Sequence, residues 1–272
     1  MARLSMSELT TYRWSFQDDV RHCRAAGFDG LGVWRDKLSD CGDECGSELL
    51  DLAGLHVSSL SWAGGFTGSD GRSHKDAVSD ALAAVRLAGR LRTGCLIVHS
   101  GARGGHTHRH VRRMFCQALE RILFLAEQLD VTIALEPLHP GCSADWTFLN
   151  GLDGCLDLLH DIGSPNLKLV LDTYHLAHDE SALCRLDEVA RRTALVQLGD
   201  AREIPRDEPN RCRLGDGVLP LNRFVGTLLS CGYDGFFEVE LSGEDVEAED
   251  YHDLLAHSRQ AFEDLVGAAQ AY

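Results

Sequence analysis

The sequence predicts an α/β fold, a (β/α)8 barrel. Three observations carry this. Short apolar runs alternate with stretches of helical period along all 272 residues. From the fourth run onward, the runs end in or carry an acid, an amide or a histidine. No glycine-rich phosphate turn opens the chain, as a doubly wound sheet would usually require; the glycines at 101–105 come late and lack the spacing. Strands separated by helices pair in parallel, and eight such units at this length close a barrel.

The elements follow in order. A strand at 3–6 precedes a helix at 16–26. GLGVW (30–34) is the second strand, followed by a helix at 44–53. The third strand, 57–62, leads into KDAVSDALAAVRLAGRL (75–91), whose apolar residues recur at helical spacing. Strand four is 95–99 and precedes a long helix at 111–129. Strand five is TIALE (132–136), with a helix at 152–162. The sixth, LKLVLD (167–172), is apolar at every position but Lys168 before its terminal acid. That pattern marks a strand buried on both faces. A helix at 182–192, a strand at 194–198, a helix at 221–231, a strand at 235–241 and a closing helix at 252–266 complete the set. No linker interrupts it, so one domain over 1–272 is expected.

Composition narrows the function. Hydrophobic residues make up 44% of the chain, enough for a large core. The net charge of -16 argues against nucleic acid as a partner. No apolar run is long enough to span a bilayer, and MARLSMSELT has no apolar signal core, so a soluble, cytoplasmic protein with no membrane partner is expected. The ten cysteines include no Cys-x-x-Cys and read as free thiols, mostly buried.

In a barrel of this kind, polar residues at the C-terminal strand ends share one site. Those residues are His99 on strand four, Glu136 on strand five, Asp172 with His175 on strand six, Gln197 on strand seven, and Glu238 and Glu240 on strand eight. Converging carboxylates repel one another, and a divalent cation removes the repulsion. Hard oxygen donors suit Mg²⁺ or Mn²⁺. The expected ligand set is Glu136, Asp172, Gln197 and Glu240. Glu238 shares a face with Glu240 but lies deeper, where a ligand role or pairing with an interior Arg or Lys are the alternatives. His175 either meets a substrate oxygen or caps its own loop, and His99 is a substrate contact or a core histidine. His106, His108 and His110 read as solvated residues opening a helix. The long connection 199–220 has the length of an active-site lid. Within it Arg202 is a candidate substrate contact, and Arg213 is expected to pair with Asp207, Glu208 or Asp216. Trp34 and Trp62, at early strand ends, and Trp14, in the first loop, are candidate aromatic walls for a sugar. Trp62 is the one assigned to substrate.

Seven segments then carry a family resemblance: AAGFDGLGVW (25–34), LIVHSG (96–101), IALEPL (133–138), LVLDTYH (169–175), VQLGDAR (196–202), RLGDGVLPL (213–221) and GYDGFFEVEL (232–241). Together they resemble the sugar phosphate isomerase/epimerase family of xylose isomerase-like barrels. The resemblance implies one divalent metal ion, Mn²⁺ foremost with Mg²⁺, Co²⁺ or Zn²⁺ as alternatives, held at Glu136, Asp172 and Glu240. It implies a substrate contact at His175. It also implies a small sugar, ketose or inosose as substrate, and allows a homo-oligomer. Gln197 departs from the histidine that many members carry on strand seven. The implied reaction is isomerisation or epimerisation: Glu136 and Glu240 remove and return a proton next to a carbonyl, through an enediolate. Inosose dehydratase-like or C-glycoside-cleaving lyase chemistry is the rival on the same site. An endonuclease is disfavoured by the charge. A non-catalytic sugar-binding protein with a decayed site is the alternative of another class.

Overall fold

Alternation of side chains along each strand decides how this chain packs. The computed structural model describes residues 2–143, 145–207 and 209–270. Its elements are β1 (Arg3–Ser7), α1 (Phe16–Ala25), β2 (Gly30–Trp34), α2 (Arg35–Cys41), α3 (Asp43–Ala53), β3 (His56–Ala63), α4 (His74–Leu91), β4 (Leu96–Val98), α5 (His108–Gln128), β5 (Ile133–Leu135), α6 (Gly151–Ile162), β6 (Leu167–Asp172), α7 (Thr173–Leu176), α8 (Glu180–Leu183), α9 (Leu186–Val189), β7 (Thr193–Leu198), α10 (Leu221–Ser230), β8 (Phe236–Val239), α11 (Glu244–Glu247) and α12 (Tyr251–Gln270). The strands pair in sequence order and all in parallel, and β8 closes on β1.

Two apolar layers result. The larger lies between the sheet and the helices, and the helices bury one stripe each against it; α4, for example, buries Val78, Ala81, Val85 and Ala88. The smaller is built from Cys95, Ile97, Ala134, Val170, Leu195 and Phe236. Strand side chains repeat on one face every second residue. Stepping two residues on from Ile97, Ala134, Val170, Leu195 and Phe236 reaches His99, Glu136, Asp172, Gln197 and Glu238. The polar residues of the site therefore form the next layer above an apolar plug.

Local chemistry sets the helix starts. Ser15, Ser73 and Thr107 each accept a backbone N–H from the residue three positions on, capping α1, α4 and α5. The Thr107 cap starts α5 at His108, three residues before the expected start. His106 and His108 are exposed there and His110 partly so, as solvated residues opening a helix. Two expectations need correction. The helix expected at 182–192 is broken into α8, α9 and a 3-10 turn, with Asp179 capping α8 through the Ser181 N–H. Residues 35–41, where the sequence reading placed no element, form α2, which starts directly from the end of β2 and buries Lys37 and Leu38. No helix among the described residues is long and apolar enough to cross a membrane.

Candidate active site

The polar layer opens into a cavity of about 410 Å³ at the C-terminal mouth of the barrel. His99, Glu136, His175, Gln197, Arg211 and Glu240 reach it, between walls that include Trp34, Trp62 and Trp146. Asp172 lies beneath, fully buried. Its Oδ1 accepts the Tyr174 N–H at 2.7 Å, which caps α7, and its Oδ2 faces Arg211.

Arg211 is the residue the sequence did not reveal. It is 3% exposed. Its Nη2 lies 2.6 Å from Asp172 Oδ2 and 3.4 Å from Glu240 Oε1. Nη1 donates to Ser242 Oγ at 3.0 Å, and the guanidinium lies over the Tyr174 ring at 4.5 Å. Its Nε is buried without a partner. Burial works against this charge, but Asp172 and Glu240 outweigh it and hold the pKa above the ordinary arginine value. Nothing in the sequence separated Arg211 from Arg202 and Arg213. The available signal was physical: a buried acidic layer needs a cation, and the long connection was the segment placed to deliver one.

Arg202 and Arg213, in the same connection, point elsewhere. Arg202 is a correction: its side chain is 60% exposed and pairs with Asp245 at 3.2 Å, outside the cavity wall. A long charged side chain stays in water when an acid is available at the surface. Arg213 pairs with Glu249, not with Asp207 or Asp216; Glu208 lies outside the described residues. Asp200 serves the loop. Its carboxylate accepts backbone N–H groups from Ala201, Gly215, Gly217 and Leu219 at 2.8–3.1 Å. Trp14 packs on His22, Tyr251 and His252, away from the cavity.

Glu136 sits between two histidines. His99 Nε2 is 3.5 Å from Oε2, and His175 Nε2 is 3.8 Å from Oε1. His175 Nε2 is also 3.7 Å from Asp172 Oδ2. The His139 N–H points at His175 Nδ1 at 3.3 Å. The network therefore assigns the ring proton to Nε2, which makes His175 a donor toward the carboxylates. Burial lowers the pKa of His99 to about 4 and that of His175 to about 3. Both rings are neutral at pH 7. Burial, then the charges of Asp172 and Glu240, push the Glu136 carboxyl well above the usual range. Burial lifts Glu240 to about 7, with Arg211 pulling it down.

Gln197 reaches the same layer from β7. Its amide nitrogen, not its oxygen, faces the acids, donating to Glu240 Oε2 at 2.7 Å and to Glu238 Oε1 at 3.3 Å. An amide between two carboxyl groups satisfies them with its donor. Its Oε1 is left buried and without a partner. Glu238 lies deeper, as its register predicts, but pairs with no interior cation. Ser58 and Ser59 donate to it at 2.6 and 2.8 Å. Burial raises its pKa against these donors. Gly32 lies opposite: a Cβ there would come within 2.4 Å of Glu238 Oε2.

One guanidinium thus faces four buried carboxyl groups: Glu136, Asp172, Glu238 and Glu240. Atoms capable of binding a metal on Glu136, Asp172 and His175 lie within 4.8 Å of one another. Surplus acid and an unpartnered amide oxygen fit a hard divalent cation. The proton on His175 Nε2 makes the carboxylates better donors than the ring.

A parallel eight-stranded barrel with acids gathered at its C-terminal mouth has the layout of the barrel enzymes, whose sites lie at that end. Within it, the description of the xylose isomerase-like TIM barrel family matches residues 20–264, and the chain belongs to that family. It is similar to a putative hydroxypyruvate isomerase of Streptomyces coelicolor, 34% identical over 101 residues; the match spans 36% of this chain and 34% of that protein. The inosose isomerase of Bacillus velezensis is 22% identical over 253 residues, 88% of each chain. Among solved structures, the IOLI protein with a binding zinc atom superposes with a TM-score of 0.85 at 17% identity, covering 97% of this chain and 98% of that one.

Proposed function

We propose that this protein is a metal-dependent isomerase or epimerase of a small keto sugar or inosose. The observation that carries the reading is the gathering of Glu136, Asp172, Gln197, Glu240 and Arg211 around one cavity. Glu136, Asp172 and Glu240 would hold the ion, with the Gln197 carbonyl oxygen as fourth donor. Mn²⁺ is the proposed metal, and the zinc atom bound by the IOLI protein supports a divalent ion. Bound there, it would act as a Lewis acid that makes the C–H beside a carbonyl easier to deprotonate.

The chain's own residues do the rest. Glu136 and Glu240 stand on strands five and eight, so they approach a bound substrate from different sides. Burial lifts the Glu240 carboxyl to about 7, so it gains and loses a proton near neutral pH, and the Glu136 carboxyl is shifted in the same direction. One takes the proton and the other returns it to the opposite face, or to the neighbouring carbon, of the enediolate. His175 Nε2–H is a donor for a substrate oxygen. His99 stacks edge-on to Trp62 at 5.7 Å between ring centroids, and together they wall the sugar. A reducing compartment such as the cytoplasm suits the ten free cysteines.

The test is deuterium wash-in at the exchanging carbon. Glu136→Gln and Glu240→Gln should each abolish it, and exchange at the wild-type rate in either would refute the assignment. A second reading, a sugar-binding protein without catalysis, is favoured by the Gln197 nitrogen facing Glu240. Metal analysis of the purified protein separates them: stoichiometric divalent metal supports the enzyme, and none after metal supplementation supports the binder.

A further inference from the structure

His175 presents two edges. Nε2 faces Glu136 and Asp172, and Nδ1 faces the turn formed by residues 139–142. That turn is closed on itself. The Cys142 N–H donates to the His139 carbonyl at 3.1 Å, and the Gly141 N–H donates to His139 Nδ1 at 3.1 Å. The Asp207 N–H ties the Gly141 carbonyl to the long connection at 2.8 Å. Gly141 permits that approach, since a Cβ there would come within 2.1 Å of the Pro205 carbonyl oxygen. Held in this way, the turn brings two groups to the ring. The His139 N–H lies 3.3 Å from Nδ1, and Cys142 Sγ lies 3.6 Å from it.

Among the described residues, Cys142 is the one cysteine of the ten that lines the catalytic cavity. Its sulfur is also 3.6 Å from the His139 carbonyl oxygen. That oxygen already accepts the Cys142 N–H, whereas Nδ1 has only one other contact, and a long one. The thiol proton therefore goes to Nδ1. Burial pushes the Cys142 thiol up to about 11, so it keeps that proton at neutral pH. A neutral imidazole has one N–H and one free lone pair. Two donors that share the lone pair of Nδ1 leave the ring proton on Nε2.

We propose that Cys142 is a positioning residue: its thiol, together with the His139 N–H, holds His175 in the Nε2–H form with that edge toward the acids. The ring then donates to a substrate oxygen and stays out of the ion's ligand set, because a nitrogen that carries a proton has no lone pair for a metal. The inference rests on the proposed function and adds a residue that acts on the reaction through another.

The experiment has two arms, both on the full chain. Nitrogen-15 NMR, with Mg²⁺ as a diamagnetic ion, reads the hydrogen bond itself. The His175 Nδ1 resonance is identified by its loss in His175→Gln. In Cys142→Ala it should move downfield, as an acceptor does when it loses a donor. Deuterium wash-in with Mn²⁺ then supplies a double-mutant cycle. Cys142→Ala should slow exchange about 3- to 10-fold, the worth of about one net hydrogen bond. In the His175→Gln background the same change should slow it less than about 2-fold, because the group it acts through is gone. Equal slowing in both backgrounds would show that the thiol acts by packing alone, and this or no slowing at all overturns the role. An unmoved resonance overturns it as well, and wild-type exchange beside it leaves the catalytic reading standing. If the resonance moves but the wild type exchanges no keto-sugar proton, the catalytic reading falls and takes the role with it.

Discussion

Replacing Arg211 by methionine removes the one guanidinium in the acidic layer while keeping most of its stem. The side chain is 3% exposed and touches Asp172 at 2.6 Å and Glu240 at 3.4 Å. Breaking a buried ion pair from one side costs about 3–5 kcal/mol, because the surviving charge stays out of water. For a chain of this size each kcal/mol shifts the melting temperature by about 2–4 °C. The metal-free variant should therefore melt about 6–20 °C below the metal-free wild type. A divalent ion bound among the same carboxylates supplies the missing charge, and at 100 times its Kd adds about 2.7 kcal/mol. The gap should close by at least half in saturating Mn²⁺. The assay is thermal denaturation of both proteins with chelator and with metal, alongside Arg211→Lys, which keeps the charge and should lose less. An equal loss in both conditions, or none without metal, would refute the idea that guanidinium and ion answer to the same carboxylates.

Three further outcomes are expected. Glu8 is buried, its Oε1 lacks a partner, and burial followed by Asp19 raises its pKa well above the usual range. Its folded state therefore holds a proton that the unfolded chain gives up. The stability from that proton is complete below the ordinary carboxylate pKa and is lost as pH rises through the folded value. Glu8→Gln should flatten this loss, so urea midpoints should favour the variant more at about pH 9 than at about pH 5; a constant difference would sink the account. Gly32→Ala should cost about 1–3 kcal/mol through contact with Glu238, and Glu238→Ala in the same chain should recover part of it; a Gly32→Ala protein as stable as wild type would show that the layer can shift. Arg202→Ala should keep kcat/KM within about 2-fold, since its side chain lies in water; a large loss would mean that the connection moves Arg202 into the cavity during turnover.

Much of the fold was legible because it rests on periodicity. Runs such as LVLD are apolar until the residue that leaves the plug, so strand ends and site acids announced themselves together. Glu136, Asp172, Gln197, Glu240 and His99 reach the polar layer for that reason, and His175 follows Asp172 on α7. What stayed hidden depends on contacts between distant segments. Arg211 is one of four arginines in one connection, and only the packing of Ser242, Tyr174 and Asp172 around it singles it out. Trp146 joins the cavity wall, edge-on to Trp62 at 5.2 Å, because the segment after β5 folds back over the mouth. The turn of the Gln197 amide depends on which charges surround it, and a letter in a sequence cannot carry that. The helix α2 was missed because it is short and follows β2 without a break.

The grip of Asp200 on its loop has a consequence for heredity as well as for form. Four main-chain hydrogens converge on this one acid, and the segment they tether carries Arg211 inward. A change at Asp200 would leave every reacting atom untouched and still strand the guanidinium outside. Inactivating lesions are therefore expected at a residue that does not reach the cavity.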